Sequence, residues 1–479
     1  MKYLNKFIVY IILSIVVFCS CNKEEFLNPV PQTVISEANA FGSPERILGQ
    51  VLSMYSSVKG GTFMGGRYFV YNDIRAEEFL NVTGNQVTGS NTWAHLLGAG
   101  TAEVNTLWAQ AYNAVNRTNI VLEGLDANST VISAALADQY RAEARFLRAL
   151  TYFSLVTLYG EKPFNADNGA SKGLPIRLEA ETEASNSQLA RSTVAQVYQQ
   201  ILGDLEFAEQ KLPLTYTAST STPDINVARA HRNSAIAVKT RVYLNMGRYN
   251  DVITEANKLV PSSAPFQTSS GVTHRLNTSF TDVFRTYLTA ESIFSLPMTS
   301  TSGPGVQNGL AGYYTTEYEL NPTGIIADAN WKSADTRKTF IVTSGSKKWY
   351  NKFNSDNANY VPVIRYAEVM LNLAEALART NAGVDARAVA LLNAVRQRSD
   401  ATTTFAPATK DELINLILNE RRIEFLTEGL RSIDLLRTLQ TIPAKTIVAA
   451  IPPSNHRYVF PIPENELLFN QLMIQNSGY

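Results

Sequence analysis

Two cysteines, Cys19 and Cys21, stand one residue apart, and the 479-residue chain holds no others. Thiol redox chemistry uses a C-x-x-C spacing and a structural zinc needs four ligands, so neither fits this pair. Their surroundings suggest covalent attachment instead. Lys2 and Lys6 precede an uncharged apolar run from Phe7 to Phe18, the charged start and apolar core of an export signal. The run is shorter than the roughly 20 apolar residues of a spanning helix. Ser20-Cys21 matches the junction of a bacterial lipoprotein signal, where a small residue precedes the cysteine that becomes lipidated. The expectation is cleavage before Cys21, lipidation of Cys21, and loss of Cys19 with the signal peptide of residues 1–20. An uncleaved membrane anchor is the competing reading.

Other reactive constellations are thin. The four histidines (His95, His231, His274 and His456) form no H-E-x-x-H pair, so no zincin site is expected. There is no G-x-S-x-G elbow, no Walker A loop and, after cleavage, no thiol nucleophile beyond the lipidated cysteine. "GPGVQNG" has the glycines of a phosphate loop but lacks the lysine and the following helix. No metal or cofactor is expected. Paired carboxylates for glycoside hydrolysis are decided by spatial separation, so a surface hydrolase stands as a competing reading.

Lys plus Arg number 42 and Asp plus Glu number 42. Losing Lys2 and Lys6 with the signal leaves 40 against 42, a net charge of −2. No basic surplus exists to bind nucleic acid. With 45% hydrophobic and 18% charged residues, the composition is that of a globular protein. Beyond the signal no stretch is long enough to cross a bilayer, so lipid is the expected anchor.

The elements that would position any site are mostly helices. Ser43 and Pro44 predict a helix start, since proline in the first turn forfeits no hydrogen bond. Residues 59–101, rich in Gly, Asn and Thr, read as loops. From Thr101 the apolar stripe Val104, Leu107, Trp108, Ala111, Val115 predicts a helix, and a second stripe ends at Gly160. A third helix enters through Ser192 or Thr193 and closes before Pro213. "NSAIAVKTRVYLNMGRYNDVITEANKLVP" predicts two helices around Gly247 and resembles a tetratricopeptide unit. Residues 262–360 break the pattern, with short β-like runs in "SIFSLPM" and "KTFIV". Helices resume with Ile364, Ala367, Leu371, Ala374 and Ala378 at helical spacing. In "ERRIEF", Arg421 and Glu424 stand three apart, as do Arg431, Asp434 and Arg437. Both sets predict ion pairs that fix helix register.

The chain thus divides into a signal (1–20), a lipidated tether (21–42), a helical region (43–261), an irregular insertion (262–360) and a C-terminal helical region with a tail (361–479). The fold class is mostly α: tetratricopeptide-like hairpins form a scaffold for a loop-rich subdomain with short β segments. Aromatic residues in the irregular parts are the candidate site. Trp93, Trp331, Tyr313, Tyr314 and Tyr318 lie in polar surroundings, where rings either stack on a ligand or plug gaps under loops. Asp73, Arg75 and Asn91 flank Trp93 in the same region and could hydrogen-bond hydroxyls.

Several stretches occur together in order: "CSCNKEEFLNPVPQT", "AEARFLRALTYFSLVTLYGEKPF", "VIRYAEVMLNLAEAL", "LNAVRQR", "NERRIEFLTEGLRSIDLLR" and "PIPENELLFNQLMIQNSGY". Together they resemble the SusD/RagB family of surface nutrient-binding lipoproteins across essentially the whole chain. The usual "NPGY"-like ending is here "NSGY". The resemblance implies a non-catalytic protein held at the outer membrane by its lipid. It would act as a lid on a SusC-like TonB-dependent transporter and capture oligosaccharides. Peptide capture, or a tetratricopeptide scaffold with no small ligand, are the alternatives. The family has no transferable ligand motif, so the site residues above rest on their own chemistry.

Overall fold

A computed structural model describes residues 39–181, 188–220, 222–356 and 358–479. The expected signal peptide and lipidation at Cys21 lie outside the described residues, as does the tether up to residue 38. Helix α1 (Pro44–Val58) starts where expected: Ser43 caps it by accepting from Arg46 N at 3.3 Å. Then come α2 (Arg67–Ile74), α3 (Ala102–Ala127), α4 (Ala134–Tyr159) and α5 (Val194–Lys211). Thr193 and Gln196 form a reciprocal capping box at the start of α5, and Leu212-Pro213 ends it. The pair α6 (Arg232–Asn245) and α7 (Tyr249–Ala256) turns on Gly247, whose φ of +67° suits glycine. Four helices close the scaffold: α8 (Tyr366–Thr380), α9 (Ala386–Ser399), α10 (Lys410–Glu424) and α11 (Arg431–Arg437). Successive helices pack side by side from α3 through α8, the expected stack of hairpins.

Two sequence expectations are corrected. Residues 59–101 are not all loop, because α2, a strand and two short helical turns lie within them. All eight residues of α2 are buried, so it has no polar face and hence no stripe to read. Ile364 does not open α8. Residues 360–365 are a strand, as their run of Val361, Val363 and Ile364 favours, and the helix begins at Tyr366.

Three two-stranded antiparallel sheets punctuate the helices. Strand β1 (Phe79–Asn81) pairs with β3 (Tyr318–Leu320), tying the insertion to the N-terminal region. Strand β2 (Ser292–Pro297) pairs with β6 (Tyr360–Arg365) across an irregular register. Strands β4 (Ile341–Ser344) and β5 (Lys347–Tyr350) form a hairpin. "SIFSLPM" thus supplies a strand, whereas "KTFIV" is split between a 3-10 turn and β4.

What docks the insertion on the helices is charge. Arg337 donates to Asp335 at 2.6 Å, to Glu420 at 2.6 Å and to Glu424 at 2.8 Å. Arg365 binds Glu428 at 2.7 Å and Glu424 at 3.1 Å and also reaches Glu291. Arg398 bridges Glu291 at 2.7 Å and Glu424 at 2.6 Å. Arg396 pairs with Asp335 and Glu420, and Lys352 with Glu428. Five cations thus meet five carboxylates, with side chains at most 6% exposed. Burial alone would push the Glu424 carboxyl up, but Arg398, Arg365 and Arg337 outweigh it and hold it far below the usual range.

"ERRIEF" is therefore structural, though not through the expected pair. Arg421 turns away from Glu424 to bind Asp434 at 2.8 Å and Asn372 at 2.7 Å. Arg422 reaches Glu78 at 2.9 Å. The row after it is split too: Asp434 and Arg437 pair at 2.7 Å, whereas Arg431 reaches back to Glu77. Glu424 is already held by Arg337, Arg365 and Arg398, and Asp434 by Arg421 and Arg437. Arg421 and Arg431 therefore each take a carboxylate from another element; a buried guanidinium left unpaired would cost far more. Arg365→Ala or Glu424→Ala should cost about 3–5 kcal/mol, read as a lower denaturation midpoint. Asp251→Ala, in the exposed Arg248–Asp251 pair, should cost under about 1 kcal/mol.

Candidate ligand-binding face

The β4–β5 hairpin turns at Gly345-Ser346, and the φ of +60° at Gly345 is what a tight two-residue hairpin loop requires. Alternation along β5 then assigns its two aromatic residues to opposite faces. Tyr350 points inward: it is fully buried, with its ring centroid 6.3 Å from that of Trp331 and 5.9 Å from that of Phe340. Trp349 points outward and is half-buried. Its cross-strand partner is Val342, itself 45% exposed. Of the four tryptophans only Trp349 keeps substantial exposure, since Trp93, Trp108 and Trp331 are buried.

The aromatic residues expected to form a ligand platform lie one layer deeper. Trp331 is 1% exposed, with Lys338 Nζ 5.4 Å from its ring centroid. Tyr313, Tyr314 and Tyr318 are all buried, and Tyr313 and Tyr318 stack at 6.2 Å. Trp93 donates from Nε1 to Phe79 O at 2.8 Å, and Lys445 Nζ sits 5.2 Å from its ring centroid. Such rings fill gaps between insertion and scaffold and offer no face to a ligand in this conformation. Polar sequence neighbours misled here, because the β1–β3 pairing folds the insertion back over its own aromatic residues.

The polar candidates are brought partly together. Tyr314 donates to Asp73 Oδ2 at 2.7 Å, and Gly429 N donates to the same oxygen at 3.1 Å. Burial pushes the Asp73 carboxyl up to about 8, against the opposing pull of the Tyr314 hydroxyl and the Gly429 N–H. Arg75 points elsewhere: it donates to Tyr458 O at 2.6 Å and lies 5.0 Å from the Phe460 ring centroid. Asn91 is half-buried in a short helix, its N–H held by Glu103 at 3.2 Å. Asp73 and Arg75 are thus buried polar joints between segments.

Trp349 escaped the sequence reading because "SKKWYNKF" shows two adjacent aromatic residues with no sign of which faces out. The hairpin register supplies that sign. A second aromatic feature also needed the structure: Tyr287 and Tyr360, 73 positions apart, stack with centroids 5.3 Å apart and planes 13° from parallel. A cleft of about 770 Å³ lies away from both, between residues 262–276 and α9. Among the described residues no cluster of three His, Cys, Asp or Glu side chains could hold a metal. None of their helices is long and apolar enough to cross a membrane.

Stacked helical hairpins here carry one irregular subdomain with short two-stranded sheets, and known proteins share this architecture. The model described as "SusD family" matches residues 239–479, half of the chain. Another, described as "Starch-binding associating with outer membrane", matches residues 35–244. The chain belongs to the SusD family. It is similar to a SusD superfamily protein from Bacteroides fragilis, with 33% identity, 90% of this chain and 99% of that chain covered, and a TM-score of 0.81. SusD-like protein P2 of Formosa agariphila is 25% identical over the whole of both chains. A laminarin-binding SusD-like protein shares the fold, with 20% identity, 91% and 100% coverage, and a TM-score of 0.71.

Two outcomes follow from the burial. Trp93→Ala and Trp331→Ala should each lower stability by about 3–5 kcal/mol, as truncation of large core aromatic residues does, measured by denaturation. The raised Asp73 carboxyl gives a pH signature. Its contribution is fully present below the unfolded value near 3.8 and is lost as pH rises through about 8. The melting temperature should fall over that window, and Asp73→Asn should flatten the fall.

Proposed function

We propose that this is a non-catalytic surface lipoprotein that captures oligosaccharides and passes them to a SusC-like TonB-dependent transporter in the outer membrane. Family membership supports binding rather than turnover, and the family-model description ties the N-terminal half to starch-binding at the outer membrane. The observation that carries the reading is the half-exposed Trp349 on the outward face of the hairpin, beside exposed Val342. An indole face suits the C–H face of a pyranose, and the stack is worth about 0.5–1.5 kcal/mol beyond the area it buries. The strand that carries Trp349 is anchored through its next residue, Tyr350, which packs on Trp331 and Phe340 on the opposite face, so less backbone ordering opposes binding. Lipidation at Cys21 would hold this face at the membrane surface, next to the transporter.

Calorimetric titration with laminarin and soluble starch, the glycans named among this chain's similar proteins, tests the reading. Trp349→Ala should raise Kd about tenfold, the equivalent of roughly 1.4 kcal/mol, with an unchanged melting temperature. Unchanged affinity in that variant would move the platform elsewhere. Binding of peptides but of no glycan would establish peptide capture instead.

A further inference from the structure

The backbone at Tyr287 is unusual. Its φ is +58°, and Leu288 N donates to Thr286 O at 2.7 Å across it. This is the γ-turn with positive φ, the rarer and strained form, built here on a bulky aromatic residue. The strain is pinned in place, because Ser292 Oγ donates to the Tyr287 carbonyl at 3.0 Å. Strain on a non-glycine residue persists only where its surroundings enforce it, and such sites concentrate at ligand clamps. The ring gains little protection from the turn, since Tyr287 is only half-buried and the next residue, Leu288, is 47% exposed.

What the turn achieves is the stack on Tyr360. The two hydroxyls are fixed by different partners: Tyr287 donates to Asn359 Oδ1, and Tyr360 donates to Asp224 Oδ2 at 2.7 Å. Asp224 is half-buried, and its Oδ1 has no partner among the described residues. Asn359 is 4% exposed, yet its Nδ2 is buried without a hydrogen-bond partner. Two half-exposed parallel rings and a carboxylate oxygen open to accept therefore meet at the start of β6, above a buried amide with no partner for its Nδ2. Aromatic faces beside a carboxylate acceptor are the complement of a sugar, which offers a C–H face and hydroxyl donors at its edge.

We propose that the Tyr287–Tyr360 pair with Asp224 is a second sugar-binding subsite, separate from Trp349, through which the protein favours long glycan chains over short ones. The inference rests on the capture reading above. One arginine links the two platforms: Arg285, two residues before Tyr287, donates to Asn351 O at 2.8 Å and to Lys352 O at 2.5 Å, just beyond Trp349 on β5. A chain spanning both platforms gains through effective concentration, which a short oligosaccharide cannot.

The test titrates wild type, Tyr287→Gly and Asp224→Asn with laminarin-derived and malto-oligosaccharide ladders, from disaccharides to long chains. Glycine removes the ring and relieves the positive φ, so a melting temperature no lower than wild type is expected. Wild-type Kd should fall at least about tenfold from the shortest to the longest ligand. Tyr287→Gly should lose that gain while keeping the short-chain Kd, and Asp224→Asn, which leaves both rings in place, should lose part of it. A chain-length gain undiminished in both variants overturns the inference and leaves the capture reading standing. So does equal weakening of short and long ligands. Absence of wild-type binding to every glycan overturns the capture reading and this inference with it.

Discussion

Ten buried charges hold the insertion in register with the helical scaffold. Arg337, Lys352, Arg365, Arg396 and Arg398 neutralise Glu291, Asp335, Glu420, Glu424 and Glu428 inside the protein, where a single unpaired member would be costly. Such a set adds little net stability over apolar packing, because each ion is stripped of water before it is paired. It is strict about geometry, however. Three of these carboxylates come from the stretch between 420 and 428, and Glu291, Asp335, Arg337 and Lys352 come from the insertion. A shifted docking of one on the other would strand charges on both sides.

The proposed ligand-facing surface depends on that docking. Tyr350, next to Trp349 on β5 and pointing to the opposite face, donates its hydroxyl to the carbonyl of Arg337, a member of the charge network. Lys352 binds the carbonyls of Glu424 and Leu426 through its ammonium, and its own carbonyl accepts from Arg285, close to the Tyr287 turn. Both half-exposed aromatic platforms are thus one or two bonds from the buried charges. Rigid support of this kind is what a shallow stacking site needs, since the stacking energy is small and any freedom lost on binding would cancel it.

The helical scaffold was largely legible in the sequence because its helices are amphipathic and punctuated. Ser43, Thr193 and Gly247 mark boundaries through local hydrogen bonding and backbone preference, which need no tertiary partner. Helix α2 was missed for the converse reason: RYFVYNDI is buried on every side and carries no periodic signal. The candidate site fared differently. Trp93, Trp331, Tyr313, Tyr314 and Tyr318 stand out in the sequence as aromatic residues of the irregular parts, but their burial is set by contacts with other segments, among them the β1–β3 pairing of strands more than 200 residues apart.

By itself the sequence determined the chemistry available: no nucleophile motif, a balance of charge, helical hairpins, and aromatic residues concentrated outside them. It also carried the family resemblance, through motifs whose charged residues prove to be the buried clamps. Tertiary structure alone decided which partner each charge takes and which ring meets solvent. The physical reason is range. Caps, turns and periodicity act over a few residues and are written locally. Exposure and ion pairing are set by whatever surface arrives from elsewhere in the chain, so Arg421 chooses Asp434 over Glu424, and Trp349 faces water while Trp331 does not.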